Sequence, residues 1–283
     1  MKIGELEEQY RLELEQLYDN DEVKALFSLS AEHVLGLSPG RLRMDKHASI
    51  SFIDIQKLLS ILNDLIIGKP IQHILGEAHF YGFVFKVDKN VLIPRPETEE
   101  LVDWIIGENN TPANQNLRVL DIGTGSGCIP ISLKKYLHHS EIYTLDVSPE
   151  AISVAKENAN GLDVKINFIE GDILTFKSDL KFDIIVSNPP YVRHLEKEEM
   201  HNNVLAHEPH LALFVSNDDP LVFYKAIADF ALTNLNPGGQ LYIEINEYLA
   251  KETINILSDK GLKSIELKLD MQGKDRMIKA VKF

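Results

Sequence analysis

An apolar run halted by two prolines is the tightest constraint in this 283-residue chain. Residues 182–187 read Phe182-Asp183-Ile184-Ile185-Val186-Ser187. Nearly continuous hydrophobicity of this length belongs to a strand covered on both faces, as in a parallel sheet. Asn188-Pro189-Pro190-Tyr191 follows at once. Proline supplies no backbone donor and fixes φ, so the ladder stops there. A carboxamide, a carbonyl released from the ladder and an aromatic ring are thereby presented at the carboxyl end of a strand, where open α/β sheets bind ligands. Asn188 offers an acceptor and donors, and Tyr191 offers a flat face. Together they suit a small planar group carrying an NH2, such as a carboxamide or a nucleobase amine. Taken alone, the four residues are equally a tight turn that ends a strand.

The surrounding pattern supplies the sheet. Strands are expected at residues 117–122, 141–146, 165–170, 182–187 and 240–245, alternating with helices at 127–137, 148–160, 220–235 and 247–260. Gly238-Gly239 reads as a turn, and residues 263–269 and 277–283 as a closing antiparallel pair. Such alternation implies an α/β fold with a doubly wound sheet. Residues 1–70 differ: Ile3, Leu6 and Tyr10, then Val23, Leu26 and Phe27, then Leu58, Leu59, Leu62 and Ile66 recur at helical spacing. The domains read from this are a helical bundle over 1–75, suited to partner docking, a β-hairpin linker over 76–94 and an α/β domain over 95–283. In the linker, residues 79–87 form a strand, Asp88-Lys89-Asn90 the turn, and Val91-Leu92-Ile93 its return.

The second chemical signal is Asp121-Ile122-Gly123-Thr124-Gly125-Ser126-Gly127, a strand running through three alternating glycines into a helix. Glycine lets backbone turn sharply and approach a ligand closely. Asp146 closes the next strand, 23 residues after Gly123, where a carboxylate can accept both hydroxyls of a ribose. Dinucleotide sites share this layout, but their spacing is Gly-x-Gly-x-x-Gly. Asp121, two residues before the first glycine, could hold a cationic amino group. These details favour S-adenosylmethionine over NAD. Gly171-Asp172-Ile173 follows the third strand, where a carboxylate can accept from an adenine amine.

With these residues in view, the chain resembles the HemK family of protein-glutamine N5-methyltransferases. The resemblance covers almost the whole chain. It rests on the Asp-x-Gly-x-Gly-x-Gly segment, the acid ending the second strand and Asn188-Pro189-Pro190-Tyr191. Leu92-Ile93-Pro94-Arg95-Pro96-Glu97-Thr98-Glu99 and the helical N-terminus are similar to the branch that acts on bacterial peptide chain release factors. The resemblance implies a Rossmann-like class I S-adenosylmethionine-dependent methyltransferase domain. It implies that Gly123, Thr124, Gly125, Ser126 and Gly127 line the methionine and ribose portion of the cofactor, that Asp146 holds the ribose and that Asp172 and Ile173 border the adenine. Asn188 would contact both cofactor and substrate. The implied substrate is the glutamine of the Gly-Gly-Gln motif in class I release factors. Two acceptors, the Asn188 side-chain oxygen and the Pro189 carbonyl, would hold both hydrogens of the substrate amide, with Pro190 shaping the turn and Tyr191 covering the amide face.

Three alternatives stay open on sequence: a ribosomal-protein glutamine methyltransferase, a DNA adenine methyltransferase, and a non-catalytic nucleotide-binding module. The net charge of −14 argues against DNA, since phosphate-backbone binding relies on clustered Lys and Arg. It is compatible with a basic protein partner and also with plain solubility. Residues 58–67 are the densest apolar stretch, and Ser60, Asn63 and Asp64 interrupt it, so no membrane span is expected. The acidic N-terminus lacks a signal-peptide core and a single cysteine forms no internal disulfide, so a cytoplasmic location is expected. Cys128 reads as a small buried residue, residues 196–200 as an exposed charged stretch, and His207-Glu208-Pro209-His210 as no metal site, because Pro209 breaks the helix that would align two ligands. Arg95 pairs with an acid or meets substrate, and Glu208 is a candidate support for the Asn188–Tyr191 loop.

Overall fold

The computed structural model describes residues 1–111, 116–199 and 202–283. They fall into two compact units. One comprises Met1–Gly76 together with the helix Asn202–His207, and the other holds the remaining described residues from Glu77 onward.

The first unit is helical, with helices Ile3–Leu14, Asn20–Leu35, Pro39–Met44, Phe52–Ile66 and Ile71–Leu75. Their ends follow from local chemistry. The Asp19 side chain accepts from the Asp21 and Glu22 amides, Ser51 accepts from Asp54, and Gly36 closes the second helix in the left-handed region. Leu6, Tyr10, Phe27, Leu58 and Leu62 form its core. Tyr10 is buried, so its hydroxyl needs a partner; it donates to the Leu58 carbonyl at 2.6 Å while the ring meets Phe27 edge-on.

In the second unit a hairpin, β1 (Glu77–Phe80) and β2 (Phe83–Lys86), precedes the helix Pro96–Asn109. The strands that follow are β3 (Arg118–Ile122), β4 (Glu141–Asp146), β5 (Asn167–Glu170), β6 (Phe182–Ser187), β7 (Val192–Arg193), β8 (Phe214–Val215), β9 (Leu235–Glu244), β10 (Lys263–Leu269) and β11 (Asp275–Val281). Seven of these make one sheet in the order β10-β11-β9-β6-β3-β4-β5, while β7 and β8 pair separately. From β9 through β5 every pairing is parallel; β11 and β10 are antiparallel additions.

Successive strand residues face opposite sides. Leu120, Ile185, Leu241 and Ile243 therefore pack under helices Val222–Asn234 and Ala250–Asp259. Val119, Ile184, Val186 and Tyr242 pack under helices Pro96–Asn109 and Cys128–Tyr136. Burial on both faces is why β6 reads as an unbroken apolar run, and each such side chain contributes roughly 1.5–3 kcal/mol. The chain winds from β3 outward to β5 and then returns to place β6 on the other flank of β3. The carboxyl ends of β3 and β6 thus border a topological switch point.

Four expectations change. The hairpin turn is Tyr81-Gly82, not Asp88-Lys89-Asn90, because both turn residues adopt positive φ (47° and 80°), the twist a two-residue hairpin needs. The hairpin is not a separate linker, since Phe80 and Phe85 are buried in the second unit's core. Gly238-Gly239 is no turn between elements but lies within β9, where two steps along β6 answer five along β9. A Cβ on Gly239 would fall 2.8 Å from the Asn236 carbonyl oxygen, so only glycine fits that irregularity. The helix Asn202–His207 groups with the N-terminal unit, where Asn203 donates to the Tyr18 hydroxyl at 3.3 Å. No helix among the described residues is long and apolar enough to cross a membrane.

Replacing Tyr10 with Phe keeps the ring and removes one buried hydrogen bond. A urea titration followed by far-ultraviolet circular dichroism should show a loss of about 1 kcal/mol in the stability of the N-terminal unit.

Candidate active site

The glycine segment leaves β3 with Gly123, Gly125 and Gly127 all at positive φ. Gly127 precedes the helix Cys128–Tyr136, and a Cβ there would fall 3.0 Å from Ile131 Cδ1 and 3.1 Å from Ala155 Cβ. It is thus needed for helix packing. Gly125 has open space where a Cβ would stand, and its amide donates to Asp146 at 2.9 Å. The other Asp146 oxygen accepts from the Ser148 amide at 2.9 Å. Burial raises the Asp146 carboxyl above its ordinary value, against these backbone donors.

These loops border a cleft of about 280 Å³ at the switch point. Gly123, Thr124, Gly125, Ser126 and Asp146 line one part of it, Asp172 and Ile173 another, and Asn188, Pro189 and Pro190 a third. The structure thus brings together most of the residues singled out in the sequence. Asp121, Gly127 and Tyr191 do not line it.

Asp121 lies fully buried beneath the glycine loop. One oxygen accepts from the Thr144 hydroxyl at 3.0 Å, which also bonds the Thr124 hydroxyl, and the other is buried without a partner among the described residues. It supports the loop from below instead of facing a ligand. Desolvation pushes its carboxyl up to about 8, with the Thr144 hydrogen bond opposing and the nearby Asp146 charge adding to the shift.

Tyr191 does not cover the cleft either. Its ring packs against the sheet core, and its hydroxyl donates to Glu244 Oε1 at 3.0 Å. Asn188 Nδ2 donates to Thr98 Oγ1 at 3.0 Å, and the Thr98 hydroxyl donates to Glu244 Oε2 at 2.7 Å. Asn246 Nδ2 donates to the Tyr191 carbonyl at 3.1 Å and to Glu196 at 3.0 Å. Glu196 was expected on an exposed stretch but is 7% exposed, because its carboxylate also accepts from the Arg193 guanidinium at 2.8 Å and the Arg193 amide at 2.7 Å. The loop after β6 is therefore held from both ends.

Arg95 borders the cleft and pairs with buried Glu208 at 2.5 Å. Glu208 also accepts from the Ile93 amide at 3.2 Å, so it braces residues 93–95, not the Asn188–Tyr191 loop. Cys128 lines the cleft, but burial raises its thiol to about 12, so it stays protonated. Among the described residues no three His, Cys, Asp or Glu side chains group as a metal site.

Thr98, Glu244 and Asn246 escaped sequence reasoning as site residues, while Glu208 reads from sequence as a support but braces a different segment. The one available signal was Glu244, an acid closing an apolar strand as Asp146 does.

Residues 108–213 match the methyltransferase small domain, and residues 5–76 match the PrmC N-terminal domain. The release factor glutamine methyltransferase of Flavobacterium psychrophilum is 47% identical over 281 residues, covering 99% of each chain. The release factor glutamine methyltransferase of Bacteroides thetaiotaomicron is 43% identical, covering 95% of this chain and 96% of that protein. A crystal structure of a Pyrococcus furiosus methyltransferase aligns with a TM-score of 0.54 at 16% identity over 71% of this chain and 90% of that one, a likeness of fold.

The buried Asp121 makes stability fall with pH. Its folded-state value, about 8, exceeds the usual carboxylate value, so the folded protein holds the proton that the unfolded chain releases as pH rises from about 4 to 8. Asp121→Asn mimics the protonated form. Denaturant titrations at pH 5 and pH 8 should show the variant gaining on the parent as pH rises.

Proposed function

This chain belongs to the release factor glutamine methyltransferase family, and on that footing we propose that it methylates the side-chain amide nitrogen (N5) of the glutamine in the Gly-Gly-Gln motif of class I peptide chain release factors, using S-adenosylmethionine. The observation that carries this reading is Asn188 at the rim of the cleft. One hydrogen of its Nδ2 goes to Thr98, which leaves Oδ1 as the acceptor available to a ligand.

The cleft residues fit S-adenosylmethionine. The glycine loop lets backbone approach a ligand, Asp146 presents a carboxylate to a ribose, and Asp172 with Ile173 suits an adenine. When bound, S-adenosylmethionine supplies an electrophilic sulfonium methyl group. The chain's own residues must make an amide nitrogen react, although its lone pair is delocalised into the carbonyl. Asn188 Oδ1 and the Pro189 carbonyl accept the two amide hydrogens. They hold the nitrogen in one orientation and favour the positive charge that develops on it. The charged nitrogen is acidic and sheds a proton without a strong base. Pro190 keeps the turn rigid. Tyr191, packed beneath, holds the loop and does not shield the substrate. The N-terminal unit docks the protein substrate, with exposed Met44, Phe52 and Ile53 offering apolar surface. Work in the bacterial cytoplasm follows from such a substrate.

Incubation with S-adenosylmethionine and a folded class I release factor, followed by mass spectrometry, should add one methyl group to the Gly-Gly-Gln peptide. Parallel arms with ribosomal proteins and with DNA should show none, and transfer confined to either arm would overturn the assignment. Asn188→Ala should abolish transfer yet leave S-adenosylhomocysteine affinity within about tenfold, or ~1.4 kcal/mol. Turnover near the parent rate would remove Asn188 from the mechanism.

A further inference from the structure

Four polar side chains stand in series beside the cleft. Asn188 Nδ2 donates to Thr98 Oγ1, the Thr98 hydroxyl donates to Glu244 Oε2, and the Tyr191 hydroxyl donates to Glu244 Oε1. Thr98 and Glu244 are 3% and 1% exposed, so no solvent competes for these bonds. A hydroxyl has one proton, and a carboxylate only accepts. Glu244 therefore draws the Thr98 proton to itself and leaves only lone pairs toward Asn188. The half of the Asn188 carboxamide facing Thr98 must then be NH2. The two halves of a carboxamide share a shape and differ in polarity. Turned over, the same side chain would offer donors to the cleft. Burial raises the Glu244 carboxyl, while the Thr98 and Tyr191 hydroxyls and the Arg276 charge oppose that rise.

We propose that Thr98 and Glu244 are positioning residues that lock Asn188 as an acceptor toward the cleft, and that this polarity makes the site choose a side chain bearing NH2 over a carboxylate of the same shape. The inference rests on the proposed glutamine substrate. A glutamate would set acceptor against acceptor at Asn188 Oδ1 and bring an unpaired charge out of water. Neither Thr98 nor Glu244 touches the reacting nitrogen; both act through Asn188.

The test uses the full-length protein and two forms of a release factor, one with the native Gly-Gly-Gln and one with Gly-Gly-Glu. Wild type, with S-adenosylhomocysteine bound, should prefer the glutamine form by about a hundredfold or more in Kd, since a site built around substrate hydrogen bonds rejects an analogue that cannot make them. Glu244→Gln keeps the shape of the side chain and gives it a donor, so the Thr98 proton can turn toward Asn188. Thr98→Val keeps the shape and removes the hydroxyl. Each should lower kcat by roughly tenfold or more and shrink the Gln-over-Glu preference by a similar factor, with cofactor Kd within about threefold. Thr98→Ser should restore both. A purely packing role would give the reverse order, with Val tolerated and Ser impaired, and that result would overturn the proposal.

A substrate-free readout separates the two levels of the argument. In protein labelled with 15N at asparagine, the Asn188 side-chain amide should be protected from exchange in wild type and Thr98→Ser and unprotected in Thr98→Val. If wild type transfers no methyl to release factor, the proposed function falls while this signal still decides the relay. If transfer proceeds and the Asn188 amide exchanges alike in all three proteins, the relay falls alone.

Discussion

The parallel pairing of β3 with β6, buried on both faces, is the constraint from which the rest follows. A strand covered on two sides cannot turn within the core without stranding backbone donors and acceptors. The chain must leave at the strand ends, and parallel strands put their carboxyl ends on the same edge. β3 releases Gly123 there and β6 releases Asn188. Because the chain reverses its winding between these neighbours, no crossover covers the gap between them. The cleft is a product of sheet topology before any side chain is chosen.

Around that gap stand three acids at strand ends, Asp146 lining it and Asp121 and Glu244 behind it, and each is satisfied differently. Asp121 rests on the Thr144 hydroxyl with one oxygen unpartnered, Asp146 on the backbone amides of two loops, and Glu244 on the hydroxyls of Thr98 and Tyr191. Desolvation raises all three. The low local dielectric that makes each costly also makes its hydrogen bonds directional and hard to exchange. Polarity at the cleft is therefore set in part from behind, by Asp121 and Glu244, which do not line it. Asn188 takes its orientation from Glu244 through one hydroxyl. Asp146 organises both the glycine loop and the start of the next helix, at Gly125 and Ser148.

Long-range ties complete the rim. Glu208 joins residues more than a hundred positions away by bonding Arg95 and the Ile93 amide. Asn246, just past β9, bonds Glu196 and the Tyr191 carbonyl, so the segment after the two prolines cannot drift. Such bonds fix in place a loop that has no regular structure of its own.

Sequence by itself determined the sheet's existence, its place in the chain and the ends that carry chemistry. Apolar periodicity, prolines and glycines act within a few residues, so the run at 182–187, its stop at Pro189-Pro190 and the loop at Gly123–Gly127 were all legible. So were Asp146, Asp172 and Ile173, because a strand's carboxyl end is a local property. Only tertiary structure decided which side chains face the cleft and which stand behind it. Tyr191 and Asp121 sit next to cleft residues in the chain, yet strand alternation and burial turn them into the core. Glu196 looked like surface charge until Arg193 and Asn246 closed around it. Thr98 and Glu244 carry no motif that links them, since 146 residues separate them and only the packing of the helix Pro96–Asn109 against β9 brings hydroxyl to carboxylate. Local pattern writes the backbone's punctuation; partners for buried polar atoms come from distant segments, and no short stretch of sequence encodes them.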